Sequence, residues 1–429
     1  VGVKVAMGTD IGKPGNHAGD NMQELEVMVN AAGFSPLEAI HSATVNGAGV
    51  IDQGDTLGQI TEGRFADIIA CQEDPMQDRL DGPVTDPSAW RGPEYAARDD
   101  WAHHLNRTEL DEPDAALDRV TRAGLAPLEF TRAAFPLPTL GPVLAGVLDE
   151  LETGRGFALL RGIPVDRYDE QAMYRLYWGI AVHLGDMISQ NAKGDLIGRV
   201  EDIGVDIKAA NARGYTTSAE LHPHNDSSDV VGLLCVRQAK EGGQSTIASS
   251  MAIYNAILEH HPEWIDLLYR GFHYDVRGEG VTGNAKEVTR HRVPVYSYFD
   301  TRLSCRYNKR AIETAAEKMG QPLTDAEQAA VREIARLTLD PSMRLDFEMR
   351  PGDLQLLNNH MVLHARSNFT DWPERDRRRL LLRLWVNRRD GEGRALAPDF
   401  ANRYNTGSRQ GVAVSASRRV EAGGVRRQR

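Results

Sequence analysis

The chain has 429 residues, of which 41% are hydrophobic and 26% charged, and its formal net charge is −11. This length exceeds one ordinary domain, and the acidic balance argues against general nucleic-acid binding, which needs a basic surface. No apolar run approaches the roughly 20 residues of a membrane-spanning helix, and no signal peptide begins the sequence. Cys71, Cys235 and Cys305 form no CxxC pair. We therefore expect a cytoplasmic protein without nucleic-acid or membrane partners; homo-oligomerisation is left open.

Residues 1–80 predict a partial α/β segment. The strand-like VKVAMGTD and a glycine-rich loop precede NMQELEVMVNAAG, in which Leu25, Met28 and Val29 recur at helical spacing. A second helix, SPLEAIHSATVNGAGV, begins at the capping residue Ser35. GDTLGQITEGRFADIIAC then predicts two short strands around a glycine turn.

The rest of the chain divides into three predicted parts. Residues 81–105 are rich in Pro, Asp and Gly without periodicity and predict a linker. Residues 106–400 combine a few helices with the short strands VVGLLCV, STIAS, RLDFEMR, LQLLNN and RLLLRLWVN, a pattern typical of an antiparallel sandwich or barrel. Residues 401–429 are polar, glycine-rich and basic, and predict a disordered tail.

The stretch ELHPHNDSSD, which begins at Glu220, concentrates metal-ligating side chains. Residues two apart on a strand share one face, so His222 and His224 form an HxH pair while His224 and Asp226 form an HxD pair. The HxH pair would suit a hydrolytic zinc site. The HxD pair would suit two histidines and one carboxylate on non-haem Fe(II), with three positions left open. Asp229 is interpreted as a turn or strand-start residue.

The downstream sequence favours the iron interpretation. His360 or His364, in LQLLNNHMVLHAR, can supply the third ligand. Arg383 follows within the apolar strand RLLLRLWVN, where a buried guanidinium needs an anion. A planar guanidinium fits a carboxylate through two parallel hydrogen bonds, as a 2-oxoglutarate site requires.

Residues 130–390 resemble the taurine dioxygenase (TauD/TfdA-like) family of Fe(II)- and 2-oxoglutarate-dependent oxygenases. GFALLRGIPV, HND, EGGQSTIASS, PGDLQLLNNHMVLHAR and RRRLLLRLW occur in the order that this family has. The resemblance implies a mixed α+β protein with a double-stranded β-helix (jelly-roll) core and surrounding helices. It also implies that His224, Asp226 and His364 hold Fe(II).

The same resemblance implies a site for 2-oxoglutarate as co-substrate. Arg379 falls at the position of the family's oxoglutarate arginine, and Arg383 falls at that of the second arginine. The loop before them is longer than in the taurine enzyme, so either arginine can be the main anchor. The family's Gly-Gly-x-Thr falls on GGQS, so Ser245 or its neighbour Thr246 would offer a hydroxyl to the distal carboxylate.

The expected substrate is a small organic molecule that is hydroxylated with O2, releasing succinate and CO2. Arg383 makes an anionic head group plausible. The stretches before the metal strand predict a pocket lid, from which Gln190, Asn191 and Tyr215 are candidate substrate contacts. His222 is a further candidate beside the iron.

Residues 1–80 resemble a different family, the C-terminal end of the amidohydrolase superfamily, over GTDIGKPGNHAGDNMQELEVMVNAAG and the residues that follow. In that family the last barrel strand ends in an Asp that binds metal and acts as general base; this position is Asp10, interpreted here as vestigial. The alternatives are therefore a metal-dependent hydrolase of C–N bonds, which needs histidines from elsewhere, and a non-catalytic jelly-roll binding protein.

Overall fold

The structure, a computed structural model, describes residues 25, 28–29, 34–50, 79–205, 213–389, 392–405, 409 and 411–412. The α-helices within these ranges are α1 (Pro36–His41), α2 (Gly47–Val50), α3 (Pro93–Ala96), α4 (Arg107–Arg122), α5 (Leu140–Thr153), α6 (Glu170–Ala181), α7 (Ser250–His260), α8 (Ile265–Arg270), α9 (Lys309–Met319), α10 (Asp325–Thr338) and α11 (Pro398–Ala401). The strands are β1 (Ala102–His104), β2 (Phe157–Arg161), β3 (Asp186–Met187), β4 (Ile197–Val200), β5 (Leu221–His224), β6 (Val230–Arg237), β7 (Glu241–Gly242), β8 (Ser245–Ser249), β9 (Tyr296–Phe299), β10 (Arg302–Cys305), β11 (Arg344–Phe347), β12 (Leu354–Asn358), β13 (Val362–Arg366), β14 (Phe369–Thr370) and β15 (Leu380–Asn387).

Two packed sheets form the centre of the fold. The larger sheet has the order β1-β2-β12-β6-β15-β3, with β4 also paired to β15, and all its pairings except β1–β2 are antiparallel. The smaller sheet has the order β11-β8-β13-β5 and is antiparallel throughout. Neighbours in both sheets are distant in sequence, so the chain crosses between sheets, as the predicted jelly roll requires.

Hydrophobic residues of both sheets join in one core. Phe157 and Trp385 of the larger sheet belong to the same buried cluster as Ile247 and Leu363 of the smaller sheet. A second cluster covers the outer face of the larger sheet with α4, α5 and α6. Strand β15 contributes to both clusters because successive side chains of a strand point to opposite faces of the sheet. Leu380, Leu382 and Leu384 pack in the outer cluster, while Trp385 packs in the inner one.

The segment predicted as a linker is packed against the core of the two sheets. Trp90 is 2% exposed, and its indole N–H donates to the backbone oxygen of Arg155 at 2.7 Å. Strand β1 pairs in parallel with β2, and Trp101 is buried beside it. Apolar side chains set among prolines and aspartates lack a periodic signal, which is why the sequence pattern did not reveal this packing. The predicted domain boundaries at residues 80 and 105 stay predictions.

Only part of the N-terminal segment is described. Ser35 caps α1 as predicted, in a capping box with Glu38. Leu25, Met28 and Val29 are buried in one small cluster. Asp10, and the strands expected between residues 51 and 78, lie outside the described residues.

The predicted tail begins with packed residues. Tyr404 and Val412 are both buried in the inner core, and α11 lies just before them. The expected disorder of residues 413–429 concerns a stretch outside the described residues. Across the described ranges, no helix combines the length and apolar character needed to cross a bilayer.

Candidate metal centre

The metal-ligating side chains come from two neighbouring strands of the smaller sheet. His224 ends β5, Asp226 follows two residues later, and His364 lies in the middle of β13. Strands β5 and β13 pair so that His224 and His364 are direct cross-strand neighbours. Directly opposed residues bring their side chains together on one face. The pairing register therefore places two imidazoles beside one carboxylate.

The three side chains form a close group. One ligand atom from each lies within 4.8 Å of the others. The Nε2 atoms of His224 and His364 lie 3.9 Å and 3.8 Å from the two carboxylate oxygens of Asp226. All three residues are buried. Within the described ranges, no other group of at least three His, Cys, Asp or Glu residues has this arrangement.

The orientation of His224 supports the HxD pair rather than the HxH pair. Its Nδ1 lies 2.8 Å from the backbone oxygen of His222, and because a carbonyl can only accept, Nδ1–H donates and Nε2 is left free for a metal. The His222 side chain itself is 72% exposed. His222 thus contributes its carbonyl, while its ring lies outside the ligand group.

Amide side chains fix the loop that carries Asp226. Asn225 donates to the backbone oxygen of Val362 at 2.9 Å and accepts from the Tyr307 N–H at 2.7 Å. The backbone N–H of Asp226 donates to Asn359 at 3.1 Å. The loop is therefore attached both to β13, the strand that carries the third ligand, and to the turn before that strand.

His360 lies outside the ligand group because both of its ring nitrogens are engaged. Its Nε2–H donates to Asp229 at 3.0 Å, and its Nδ1 lies 3.2 Å from the Arg403 guanidinium. Arg403 also donates to the backbone oxygen of Asp226 at 3.3 Å. Asp229 lies in the bend immediately before β6, in line with its interpretation as a turn or strand-start residue, but it also anchors this network. Arg403 was missed because nothing in its local sequence marks it.

Electrostatics favour a divalent cation at the group. Burial lowers the pKa of His364 to about 3, with the nearby His224 contributing, and burial also lowers the pKa of His224. Burial alone would raise the pKa of Asp226, but the nearby positive charge of Arg383 is the largest of the interactions that lower it on balance. Two neutral imidazoles and one carboxylate are the donor set of non-haem Fe(II) centres. Oδ2 of Asp226 is buried and accepts no hydrogen bond within the described ranges, so a ligating oxygen is available.

A small inner cavity lies on one side of the group, bordered by all three of these residues. Two buried guanidiniums, of Arg366 and Arg379, reach it, and each leaves Nη1 without a hydrogen-bond partner among the described residues. Burial lowers the pKa of Arg379, and it lowers that of Arg366 to about 9, with Arg379 adding repulsion. Two buried cations side by side call for an anion. Arg366 was not recognised from sequence, although it lies two residues after His364 on the same strand face.

The hydroxyls predicted for the co-substrate differ in their availability. Ser245 and Thr246 both border the inner cavity. The Thr246 hydroxyl donates to Asp346 at 2.5 Å. The Ser245 hydroxyl has no such partner in the described part of the chain. Gly243, which precedes them, has φ +76°, and a Cβ there would lie 3.2 Å from Nε of Arg379.

Arg383 occupies the wall between the inner cavity and a larger outer cleft. It lies 3.5 Å from Asp226, and its Nε donates to Gln190 at 2.7 Å. The amide of Gln190 donates in turn to the backbone oxygens of Arg383 and Leu196. Tyr215 lies under the Arg383 guanidinium at 4.6 Å. Gln190 therefore positions Arg383, since its side-chain oxygen accepts from the guanidinium while its NH2 group donates to two backbone oxygens.

The outer cleft has a volume of about 500 Å³ and reaches the metal group through His224 and Asp226. The candidate substrate residues Gln190, Tyr215 and His222 border it. Asn191 does not: its side chain closes a surface turn by bonding Asp195 and the backbone of Lys193.

Comparison with known proteins identifies the oxygenase part. Residues 121–385 match the family described as "Taurine catabolism dioxygenase TauD, TfdA family". FR-33289 synthase of Streptomyces rubellomurinus is 32% identical over 320 residues, covering 74% of this chain and 94% of that protein. The solved structure of asparagine oxygenase with Fe(II), 2S,3S-3-hydroxyasparagine and succinate matches with a TM-score of 0.54 at 20% identity, covering 68% of this chain and 98% of that chain. This last likeness shows the fold.

The N-terminal part has separate relatives. Residues 2–104 match the amidohydrolase family. Ochratoxinase of Aspergillus niger is 39% identical over 94 residues, which cover 21% of this chain and 19% of that protein. Both predicted resemblances are thus confirmed, and the amidohydrolase match runs beyond residue 80. With its jelly-roll core and its match over residues 121–385, the chain belongs to the TauD, TfdA family of non-haem iron oxygenases.

Proposed function

We propose that this protein uses Fe(II) and 2-oxoglutarate to hydroxylate a small anionic molecule with O2. The observation that carries the proposal is the inner cavity, where the His224, Asp226 and His364 group meets the unpartnered Nη1 of Arg379. A dicarboxylic keto acid needs both features, a metal for its keto-acid end and a cation for its far carboxylate. The Ser245 hydroxyl can add a hydrogen bond to that carboxylate.

Arg379 is the better candidate for the oxoglutarate anchor. The Arg383 guanidinium already donates to Gln190 and lies beside Asp226, whereas Arg379 has a free donor in the cavity. Arg366 would add positive charge beside the same carboxylate. We assign Arg383 to the wall between co-substrate and substrate, where its charge keeps Asp226 ionised.

When bound, Fe(II) and 2-oxoglutarate would supply the oxidising power with which O2 hydroxylates a substrate C–H bond. The chain supplies geometry. Residues 224, 226 and 364 hold the metal, and Arg379 with Ser245 orients the keto acid. The apolar side chains of Val200, Leu233 and Leu381 also border the cavity and keep water away. The substrate enters through the outer cleft, which reaches the metal group from the other side.

The test is succinate release and O2 uptake by purified protein supplied with Fe(II) and 2-oxoglutarate, screened against small sulfonates, carboxylates, aryloxyacids and betaines. We expect turnover that needs both additions. Arg379→Gln should raise the KM for 2-oxoglutarate at least tenfold, because a charge-assisted hydrogen bond contributes about 1.5–3 kcal/mol. An unchanged KM in this variant would contradict the assignment of Arg379.

A metal-dependent hydrolase remains a second candidate because residues 2–104 match the amidohydrolase family. Asp10 would be its metal ligand and general base, but the histidines that such a site needs would have to come from elsewhere. Hydrolysis of an amide substrate by the purified single chain, surviving His224→Ala, would support it. A non-catalytic binding protein would show neither activity.

A further inference from the structure

Besides Arg383, five guanidiniums line the outer cleft, which reaches the metal group through His224 and Asp226; they belong to Arg213, Arg277, Arg306, Arg310 and Arg403. Arg403 is hydrogen-bonded to His360 and to the backbone oxygen of Asp226. Arg213, Arg277 and Arg306 have no role in holding the metal or the co-substrate. Their charges therefore face the space in which the substrate must lie.

Most carboxylates around the cleft are already paired. Asp226 lies beside Arg383 at 3.5 Å, and Glu220 is half-exposed near the cleft, 3.8 Å from His222. The remaining pairs are Arg213–Glu279 at 2.6 Å, Lys318–Asp275 at 2.6 Å and Lys309–Glu313 at 3.8 Å. Among the described residues, Arg277 and Arg306 form no ion pair with a carboxylate, although Asp275 and Glu279 lie close enough to interact electrostatically with Arg277.

Arg277 is held in an unusual conformation. Its φ is +52°, which side chains with a Cβ rarely adopt, and its backbone N–H donates to Asp275 at 2.8 Å. In the described ranges, no hydrogen bond or ion pair engages its guanidinium. Burial lowers its pKa, and the nearby charge of Arg213 lowers it further. The Arg277 guanidinium is thus a partly buried cation without a hydrogen bond on a strained backbone, a group that a bound anion would stabilise.

Arg306 is the second cation without a counter-charge. It is 8% exposed, and its Nη1 has no hydrogen-bond partner in the described part of the chain. The guanidinium packs 4.5 Å over the Tyr274 ring, and its Nη2 makes a 3.4 Å hydrogen bond to the backbone oxygen of Arg403. These contacts hold the group in place and leave its charge unmatched.

We propose that Arg277 and Arg306 bind a dianionic phosphoryl group, R–PO3²⁻, on the substrate of this oxygenase. That the bound anion is a substrate rests on the proposed oxygenase function, whereas the anion site itself consists of residues of this chain. Two unpaired guanidiniums match two negative charges, whereas a carboxylate or sulfonate would leave one cation uncompensated. Guanidinium donors suit the tetrahedral oxygens of such a group. The R group would then extend towards His224 and Asp226.

The test is calorimetric binding of methyl phosphate and methyl sulfate at about pH 8, where methyl phosphate is a dianion because its second pKa is near 6. The two probes share their shape and differ in charge. Binding is measured with and without Fe(II) and 2-oxoglutarate. We expect methyl phosphate to bind at least tenfold more tightly than methyl sulfate. Equal affinities would overturn the inference. Tighter binding of methylphosphonate than of methyl phosphate would identify a phosphonate, and the reverse a phosphate ester.

Variants locate the site. Arg277→Gln should weaken methyl phosphate binding about ten- to a hundredfold, as expected for a lost charge-assisted contact. Arg332→Gln, at an exposed position on α10, is the matched control and should change nothing. Glu279→Gln should strengthen binding severalfold, because Arg213 is released from its partner, and misfolding cannot produce that gain. Unchanged methyl phosphate affinity in Arg277→Gln, or the lack of a gain in affinity in Glu279→Gln, would contradict the proposed anion site.

The same measurements separate this inference from the proposed function. Methyl phosphate binding in a protein that never consumes 2-oxoglutarate would keep the anion site and reject the oxygenase function. Turnover of 2-oxoglutarate by a protein that does not prefer methyl phosphate over methyl sulfate would keep the oxygenase function and reject the anion site.

Discussion

The neutral state of the metal-site histidines is a property of single residues with a measurable consequence. His364 has a pKa of about 3 in the fold, whereas an unfolded histidine titrates near 6.5. Below about 6.5 the unfolded chain therefore binds a proton that the folded chain does not, and stability falls as the pH is lowered towards the folded pKa. The burial that prepares the imidazole for a metal thus makes the metal-free protein sensitive to acid.

Denaturant unfolding of the metal-free protein tests this. Lowering the pH from about 7.5 to 5.5 should decrease the free energy of unfolding by about 1.4 kcal/mol through His364 alone. In His364→Asn, which cannot titrate there, the loss over the same range should be smaller by this amount. An identical loss in both proteins would contradict the neutral buried imidazole.

Two neighbouring hydroxyls give a second test at this scale. Ser245→Ala should raise the KM for 2-oxoglutarate severalfold, because its hydroxyl is free to donate, while Fe(II) affinity stays unchanged. The exposed Ser342→Ala serves as the control. Steady-state kinetics with varied 2-oxoglutarate provide the measurement, and a KM equal to that of the control would remove Ser245 from the site.

At the scale of elements, the turn from β7 into β8 determines where Arg379 lies. Gly243 has φ +76°, and a Cβ at this position would lie 3.2 Å from the Arg379 side chain. Gly243→Ala should therefore displace Arg379 and raise the KM for 2-oxoglutarate about tenfold, with Fe(II) binding retained. Gly320→Ala is the matched control, because Gly320 has φ +63° with no atom within 4 Å of the added methyl. Both variants carry backbone strain, so equal kinetics in the two would show that Arg379 is not displaced.

The sequence predicted some elements well and others poorly, for physical reasons. The strand RLLLRLWVN and the cap at Ser35 are local patterns, and both hold in the structure. The choice between His360 and His364 depends on the register of β13 against β5, a long-range pairing that only the family resemblance predicted. The sequence did not single out Arg366, Arg277 and Arg306. Their importance depends on the absence of ion pairs to their guanidiniums among the described residues, and a sequence pattern does not show which partners a side chain lacks.

For the whole molecule, the packing of residues 79–105 predicts where the chain can be shortened. Removing residues 1–78 should leave Fe(II) affinity within about twofold, since no described residue of this segment belongs to the metal group or to either main core. Removing residues 1–105 also takes away Trp90, Trp101 and β1. Losing one buried tryptophan typically costs about 3–5 kcal/mol, so this longer deletion should be much less stable in denaturant. Equal stability of the two deletions would contradict the packing.

The two parts of the chain were each predictable in kind from sequence, and both family resemblances are confirmed. Their junction was not, because burial of isolated tryptophans leaves no periodic trace. Within the described residues, His224 and Asp226 border both the inner cavity and the outer cleft, which we propose to hold the co-substrate and the substrate, respectively.

The most direct test of the account is Fe(II) binding by metal-free protein, followed by 2-oxoglutarate-dependent O2 uptake. We expect one Fe(II) per chain in the wild type and in His260→Ala, whose imidazole is 65% exposed at the end of α7. His224→Ala should lose both Fe(II) binding and oxoglutarate turnover. Wild-type turnover in His224→Ala would contradict the central claim that His224, Asp226 and His364 hold the iron.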